Sequence, residues 1–149
     1  MKFIHLIKST VLVILLSCTI YGCQEKEINN CENLETLDGI TLVNGNRYTG
    51  TCNIVMGTTL SRTISYKRGY LVKEIAYYPS GNIEYIGERK KGQIHGEFIS
   101  YYDNKNISIE GRLIKGQYDG EWKYYDDDSS LNKIMIYDNG DLIETKNYK

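Results

Sequence analysis

The phrase KGQIHGEFISYY at residues 91–102 returns 24 residues later as KGQYDGEWKYY at residues 115–125. A phrase repeated at a fixed short interval restricts a chain to architectures made by stacking one small unit. Turn signals carry the same rhythm along the rest of the chain. They fall at Asn44-Gly45, Gly57, Arg68-Gly69, Pro79-Ser80-Gly81, Lys91-Gly92, Asp103-Asn104, Lys115-Gly116, Asp127-Asp128 and Asn139-Gly140, close to 12 residues apart. Between them lie runs of roughly nine residues rich in β-branched and aromatic side chains, the pattern of short antiparallel strands. Two turns make one 23–24-residue unit, so the copied phrase is half of a repeating hairpin. Composition agrees. Ala76 is the single alanine and there is one proline, against 14 tyrosines and 14 glycines, which disfavours long helices and favours strands joined by turns. The expected fold is all-β.

A two-residue loop at Lys115-Gly116 predicts a register. Ile114 faces Gln117, Leu113 faces Tyr118, Arg112 faces Asp119, Gly111 faces Gly120, Ile109 faces Trp122 and Ile107 faces Tyr124. The same exercise at Lys91-Gly92 sets Gly87 against Gly96 and Tyr85 against Phe98. This register puts Glu110 opposite Glu121, a repulsive pair unless solvated or bridged. Gly87, Gly96, Gly111 and Gly120 read as structural positions, with a neighbouring aromatic ring lying over the bare backbone.

G-x-x-x-G-E-[FW]-x-x-Y at Gly92–Tyr101, repeated at Gly116–Tyr125, resembles the MORN repeat, in particular a bacterial variant described as antitoxin-like. The resemblance covers residues 67–149 well and 44–66 poorly, and Lys73 stands where later units have Gly96 and Gly120. It implies an elongated single-layer antiparallel meander of β-hairpins, without catalysis, that serves as a scaffold, a membrane-associated module or a partner-binding surface. The alternative is closure of eight or nine such strands into an up-and-down β-barrel around a small ligand.

The N-terminus follows different rules. Residues 1–22 carry Lys2 and Lys8 ahead of the uncharged apolar stretch TVLVILLSCTIYG, a secretory signal rather than a membrane span. LLSC at Cys18 and IYGC at Cys23 both resemble the bacterial lipobox. Cys23 is preferred, because the polar QEKEINN that follows suits a tether and because Cys31 and Cys52 then remain as an even pair for a disulfide. Removing Lys2 and Lys8 from the 18 basic residues leaves 16 against 19 acidic ones, a net charge of −3. Membrane attachment is then expected through acyl chains rather than electrostatics. The expected organisation is a signal over 1–22, a polar tether over 23–40 and a repeat domain over 41–149. The expected location is the bacterial cell envelope. Gln24 in place of Asp after Cys23 points to the outer membrane in a two-membrane cell, facing either the periplasm or the surface.

The sequence offers little chemistry. His95 is the one histidine outside the signal, and no G-x-S-x-G nucleophile motif accompanies it. No close Cys/His pairs suggest zinc, Asp126-Asp127-Asp128 lacks the alternation of a calcium loop, and no phosphate-binding glycine motif occurs. No catalytic, metal or cofactor site is expected, and the charge carries no footprint for nucleic acid. Tyr77-Tyr78, Tyr101-Tyr102 and Tyr124-Tyr125 put rings on both faces of the sheet. A thin repeat sheet must stack its own rings to bury anything, so these aromatics read first as structural, and a binding role can coexist with that. Phe98, Trp122 and Tyr124 are the residues expected to meet a protein partner or, in the alternative reading, a glycan or small ligand.

Overall fold

The computed structural model describes residues 26–28 and 31–148. Cys18 and Cys23 lie outside the described residues, as does the whole 1–22 signal. The chain opens with strand β1 (Lys26–Ile28) and a 3-10 turn (Cys31–Asn33). Three short strands follow, β2 (Glu35–Leu37), β3 (Ile40–Val43) and β4 (Asn46–Arg47). Then come nine long ones: β5 (Gly50–Met56), β6 (Thr59–Lys67), β7 (Tyr70–Tyr77), β8 (Ile83–Lys90), β9 (Gln93–Tyr101), β10 (Ile107–Ile114), β11 (Gln117–Tyr125), β12 (Leu131–Asp138) and β13 (Asp141–Asn147).

β5 to β13 pair in sequence order as an antiparallel meander, and β1 adds in parallel beside β5. The sheet is open, with β1 at one edge and β13 at the other. This overturns the up-and-down barrel, which would require β13 to close onto the first strands. At roughly 4.8 Å per strand the meander extends about 40 Å across its strands. β2, β3 and β4 form a separate three-stranded sheet. Thr41 N–H donates to the Gly69 carbonyl at 2.7 Å, and Gly69 N–H donates to the Tyr48 carbonyl at 2.7 Å, so the small sheet is tied to the Arg68-Gly69 turn.

The two ends of the strands are built differently. At one end two-residue turns place both central residues at positive φ: Arg68 53° and Gly69 83°, Lys91 52° and Gly92 82°, Lys115 53° and Gly116 84°, Asn139 50° and Gly140 97°. This is the type I′ geometry that matches the strand twist. At the other end, residues 78–82, 102–106 and 126–130 form three loops of one design. In each, the first N–H donates to the last carbonyl, from Tyr78, Tyr102 and Asp126. Units are also stitched to one another. Tyr78 Oη donates to the Tyr101 carbonyl and Tyr102 Oη to the Tyr125 carbonyl, both at 2.8 Å. Gly116 N–H donates to the Ile94 carbonyl and Gly140 N–H to the Tyr118 carbonyl.

The glycine register differs from the sequence expectation. Ile114, Leu113 and Arg112 do face Gln117, Tyr118 and Asp119, but the ladder then shifts so that Glu110 faces Lys123 and Ile109 faces Tyr124. Gly120, at φ 70°, lies in the resulting bulge instead of facing Gly111. Likewise Gly87 faces Phe98, not Gly96, which sits in the β9 bulge at φ 115°. The bulge has an electrostatic consequence. It removes the Glu110–Glu121 repulsion and gives Glu110 an ion pair with Lys123, Nζ to Oε1 3.3 Å. Where Lys73 replaces the bulge glycine, the β6–β7 hairpin uses a smaller register shift between Ser65 and Tyr66.

The tether expected over 23–40 is partly built into the fold. Cys31 is bonded to Cys52, with Cα atoms 5.3 Å apart, and Lys26–Ile28 runs beside β5. Asp38-Gly39 forms a further positive-φ hairpin turn between β2 and β3. That Asp-Gly signal was available in the sequence, but the strands beside it are only three and four residues long.

Candidate binding surface

Directly paired residues share a face of a sheet, so register converts into a surface. Cys52, Ile64, Glu74, Gly87, Phe98 and Gly111 form one row across β5 to β10. On this face the aromatic rings run continuously. Tyr85 and Phe98 have centroids 5.9 Å apart, Phe98 and Trp122 5.9 Å, Trp122 and Tyr118 4.2 Å, and Tyr118 and Tyr137 5.0 Å. The chain of rings provides much of the packing that a single-layer sheet cannot obtain from a second layer.

The glycines make room for it. A Cβ on Gly111 would meet Trp122 Cε2 at 2.5 Å and Cε3 at 2.7 Å, so the indole lies directly on the glycine backbone. Gly87 is looser, with Phe98 Cδ2 at 3.8 Å from a Cβ there. Trp122 is only 2% exposed, and its Nε1 donates to the Arg112 carbonyl at 3.1 Å. The expectation that Trp122 meets a partner is therefore corrected. Its ring is consumed by the sheet, because the bulge carries it over Gly111. Phe98 and Tyr124 are half-buried, and Lys133 Nζ stands 4.7 Å from the Tyr124 ring centroid. The accessible members of the row are instead Tyr118, Ile94 and Leu142, at 43%, 37% and 50% exposure. Each lies two residues after a turn glycine, and that position in the repeat was their signal in the sequence.

A second feature escaped the sequence reading. Glu74 is 5% exposed and accepts from Arg62 Nη1, Arg89 Nη2 and Tyr85 Oη, each at 2.9 Å. Gly87 sits directly across from it, and Tyr85 and Arg89, two residues to either side, close over the carboxylate. Burial alone would raise the Glu74 pKa. The hydrogen bonds from Tyr85 and Arg89, with the charges of Arg89 and Arg62, outweigh it and hold the carboxyl below its ordinary value. The same contact raises Tyr85, first through burial and then through Glu74. With both carboxylate oxygens bound by side chains of the neighbouring strands, the cluster works as a rivet between β6, β7 and β8.

On the opposite face, Glu97, Glu110, Arg112, Asp119, Glu121 and Lys123 surround an open depression of about 470 Å³ behind Gly111 and Gly120. Tyr125 Oη donates to Glu110 Oε1 at 2.8 Å, and burial followed by that carboxylate pushes the phenol up to about 12. His95 is at a turn end, where its Nδ1 accepts from the Lys115 backbone N–H at 3.3 Å. Among the described residues no group of three or more His, Cys, Asp or Glu could hold a metal ion.

Three segments, residues 72–91, 94–113 and 118–139, match the MORN repeat variant family. Each corresponds to two strands joined by a five-residue loop, namely β7–β8, β9–β10 and β11–β12. No curated protein and no solved structure matches the chain. MORN repeats commonly mediate protein or membrane binding and are generally non-catalytic.

Proposed function

We propose that this is a non-enzymatic repeat protein of the bacterial cell envelope, anchored by lipid on Cys23, that presents its sheet to a protein partner. The observation that carries the reading is the open meander, three of whose hairpins match a repeat variant associated with binding. Its aromatic face is stabilised from within and still exposes Ile94, Tyr118 and Leu142 at regular intervals. The lipobox-like IYGC supports the anchor, with Cys18 as the alternative acylation site. Gln24 supports the outer membrane in a two-membrane cell. A specific form of the reading is an immunity-like role, in which the sheet masks a toxin. It draws on the resemblance to the antitoxin-like variant.

Crosslinking in the native membrane, affinity isolation and mass spectrometry test this reading. One dominant protein partner is expected, and a toxin would establish the immunity form. Recovery of glycan or lipid without protein would overturn it in favour of ligand binding, which the half-exposed Tyr118 ring could serve by stacking on a sugar. In that case Tyr118→Ala, rather than Trp122→Ala, would abolish binding without unfolding the sheet. Radiolabelled fatty acid incorporated by the wild type and lost in Cys23→Ala is the expected result for the anchor.

A further inference from the structure

We infer that the row of two-residue turns at one end of the sheet binds an extended acidic segment of a partner protein. This rests on the protein-binding reading above and specifies the chemistry of the partner. The topology gathers Lys67-Arg68, Lys90-Lys91 and Lys115 onto three consecutive hairpin tips at the same end of the strands. All five side chains belong to exposed residues. The ion pairs among the described residues are Arg62–Glu74, Arg89–Glu74, Lys123–Glu110 and Lys146–Glu144, so none of the five is paired with an acidic side chain among the described residues. The acidic loop Asp126–Asp128 lies at the far end of strands eight or nine residues long. That is roughly 30 Å away, several screening lengths at physiological salt.

The spacing selects a ligand. Successive tips are two strands apart, about 10 Å, and an extended polypeptide in the polyproline II conformation advances about 3.1 Å per residue with three residues per turn. Carboxylates at every third position then share one side of that chain and would meet successive tips. Ile94 and Tyr118, two residues beyond the Lys91-Gly92 and Lys115-Gly116 turns, add an apolar step with the same period. Leu142 continues the step past the last turn, where Asp138 and Asp141 end the basic run. This geometry favours a chain lying across the strands over a bilayer. A plane meeting the tips end-on would touch the charges and miss the apolar step, which lies on a face of the sheet.

The test uses the full chain and a fluorescein-labelled nonapeptide of three Glu-Ser-Leu units, followed by fluorescence anisotropy at low salt. The variant is Arg68→Asn/Lys91→Asn/Lys115→Asn. Asn already occupies the same left-handed turn position at Asn44 and Asn139, with φ 49° and 50°, so the substitutions keep the turns. An unchanged thermal melt verifies this. The expected result is binding to the wild type, weakened about ten-fold or more in the variant, and no binding of the Gln-Ser-Leu counterpart. Asp127→Asn, at the far end, is expected to bind as the wild type does. Equal peptide binding by wild type and triple variant would overturn the inference, as would no binding to the wild type. So would phosphatidylglycerol vesicles that bind the wild type and not the variant while the peptide binds neither. If the triple variant still captures the crosslinked protein partner of the native membrane, this inference fails and the protein-binding reading stands. If neither form captures a protein, the reading itself fails.

Discussion

The indole of Trp122 lies on the backbone of Gly111 so closely that a methyl group at residue 111 would sit inside the ring's van der Waals boundary. Gly111→Ala should therefore displace a nearly buried ring and, with it, the ring contacts to Phe98 and Tyr118. A loss of about 2–3 kcal/mol is expected by chemical denaturation. Gly87→Ala is the control, because the Phe98 ring there is at ordinary contact distance. It should change stability by less than about 1 kcal/mol. Equal effects at the two positions would refute the proposed role of Gly111.

The Glu74 cluster should shape the acid limb of stability. The folded pKa is lowered, so its contribution is complete above the ordinary carboxylate value and is lost as pH falls through the lower folded value. Glu74→Gln is expected to flatten that limb in melts taken from about pH 6 down to pH 2. Arg89→Met should destabilise more than Arg62→Met, since the Arg62 side chain is 50% exposed and that of Arg89 27%. The reverse order would show that the exposed pair holds the carboxylate.

At the alkaline limit the sign is opposite. Tyr125 and Tyr124 are both pushed up to about 12, first by burial, then by Glu110 for Tyr125 and by Tyr137 and Tyr118 for Tyr124. Their contribution is complete below the ordinary phenol value of 10 and disappears as pH rises from 10 through about 12. Ultraviolet titration should show these two phenols ionising last, together with unfolding. Tyr125→Phe should remove one of them. These two phenols titrating normally near pH 10 in the folded protein would contradict the contacts that Glu110, Tyr118 and Tyr137 make with them.

The Cys31–Cys52 bridge spans 21 residues and holds the start of the described chain against β5. Reduction is expected to cost about 3 kcal/mol. It should also raise amide exchange in β1 and in the small β2–β3–β4 sheet while leaving β9 to β12 protected. Uniform loss of protection would mean that the sheet unfolds as one unit.

What could be read from the sequence divides along physical lines. Every two-residue turn of the long meander carries a local signature, and left-handed Gly positions announce themselves, so strand number and connection order were legible. The bulges were not. Gly96 and Gly120 look alike whether they face a partner glycine or stand out of register, and only the contacts across the ladder decide. Two hairpins giving the same answer was no safeguard, because both contain the same bulge. The Glu110–Glu121 repulsion was the clue that the simple register fails. Trp122 was misplaced for the same reason, as a shift in pairing moves a ring from the surface onto Gly111. The Glu74 cluster draws on residues 62, 74, 85 and 89 from three strands and has no local pattern. The β5–β6 hairpin lies outside the matched repeats, yet it continues the meander without interruption.

The tyrosine bonds that join one loop to the next run from Tyr78 to Tyr101 and from Tyr102 to Tyr125, the same interval of 23 residues each time. A seam that is identical on both sides of a unit can be cut and rejoined anywhere along the row. Duplicating one in-frame segment would create no new kind of junction, only another tooth on the comb. Each added hairpin, a pair of strands, would widen the surface by about 10 Å. The reach of the protein is thus a counted quantity, one that can change by whole steps through copying of DNA rather than by gradual revision of side chains.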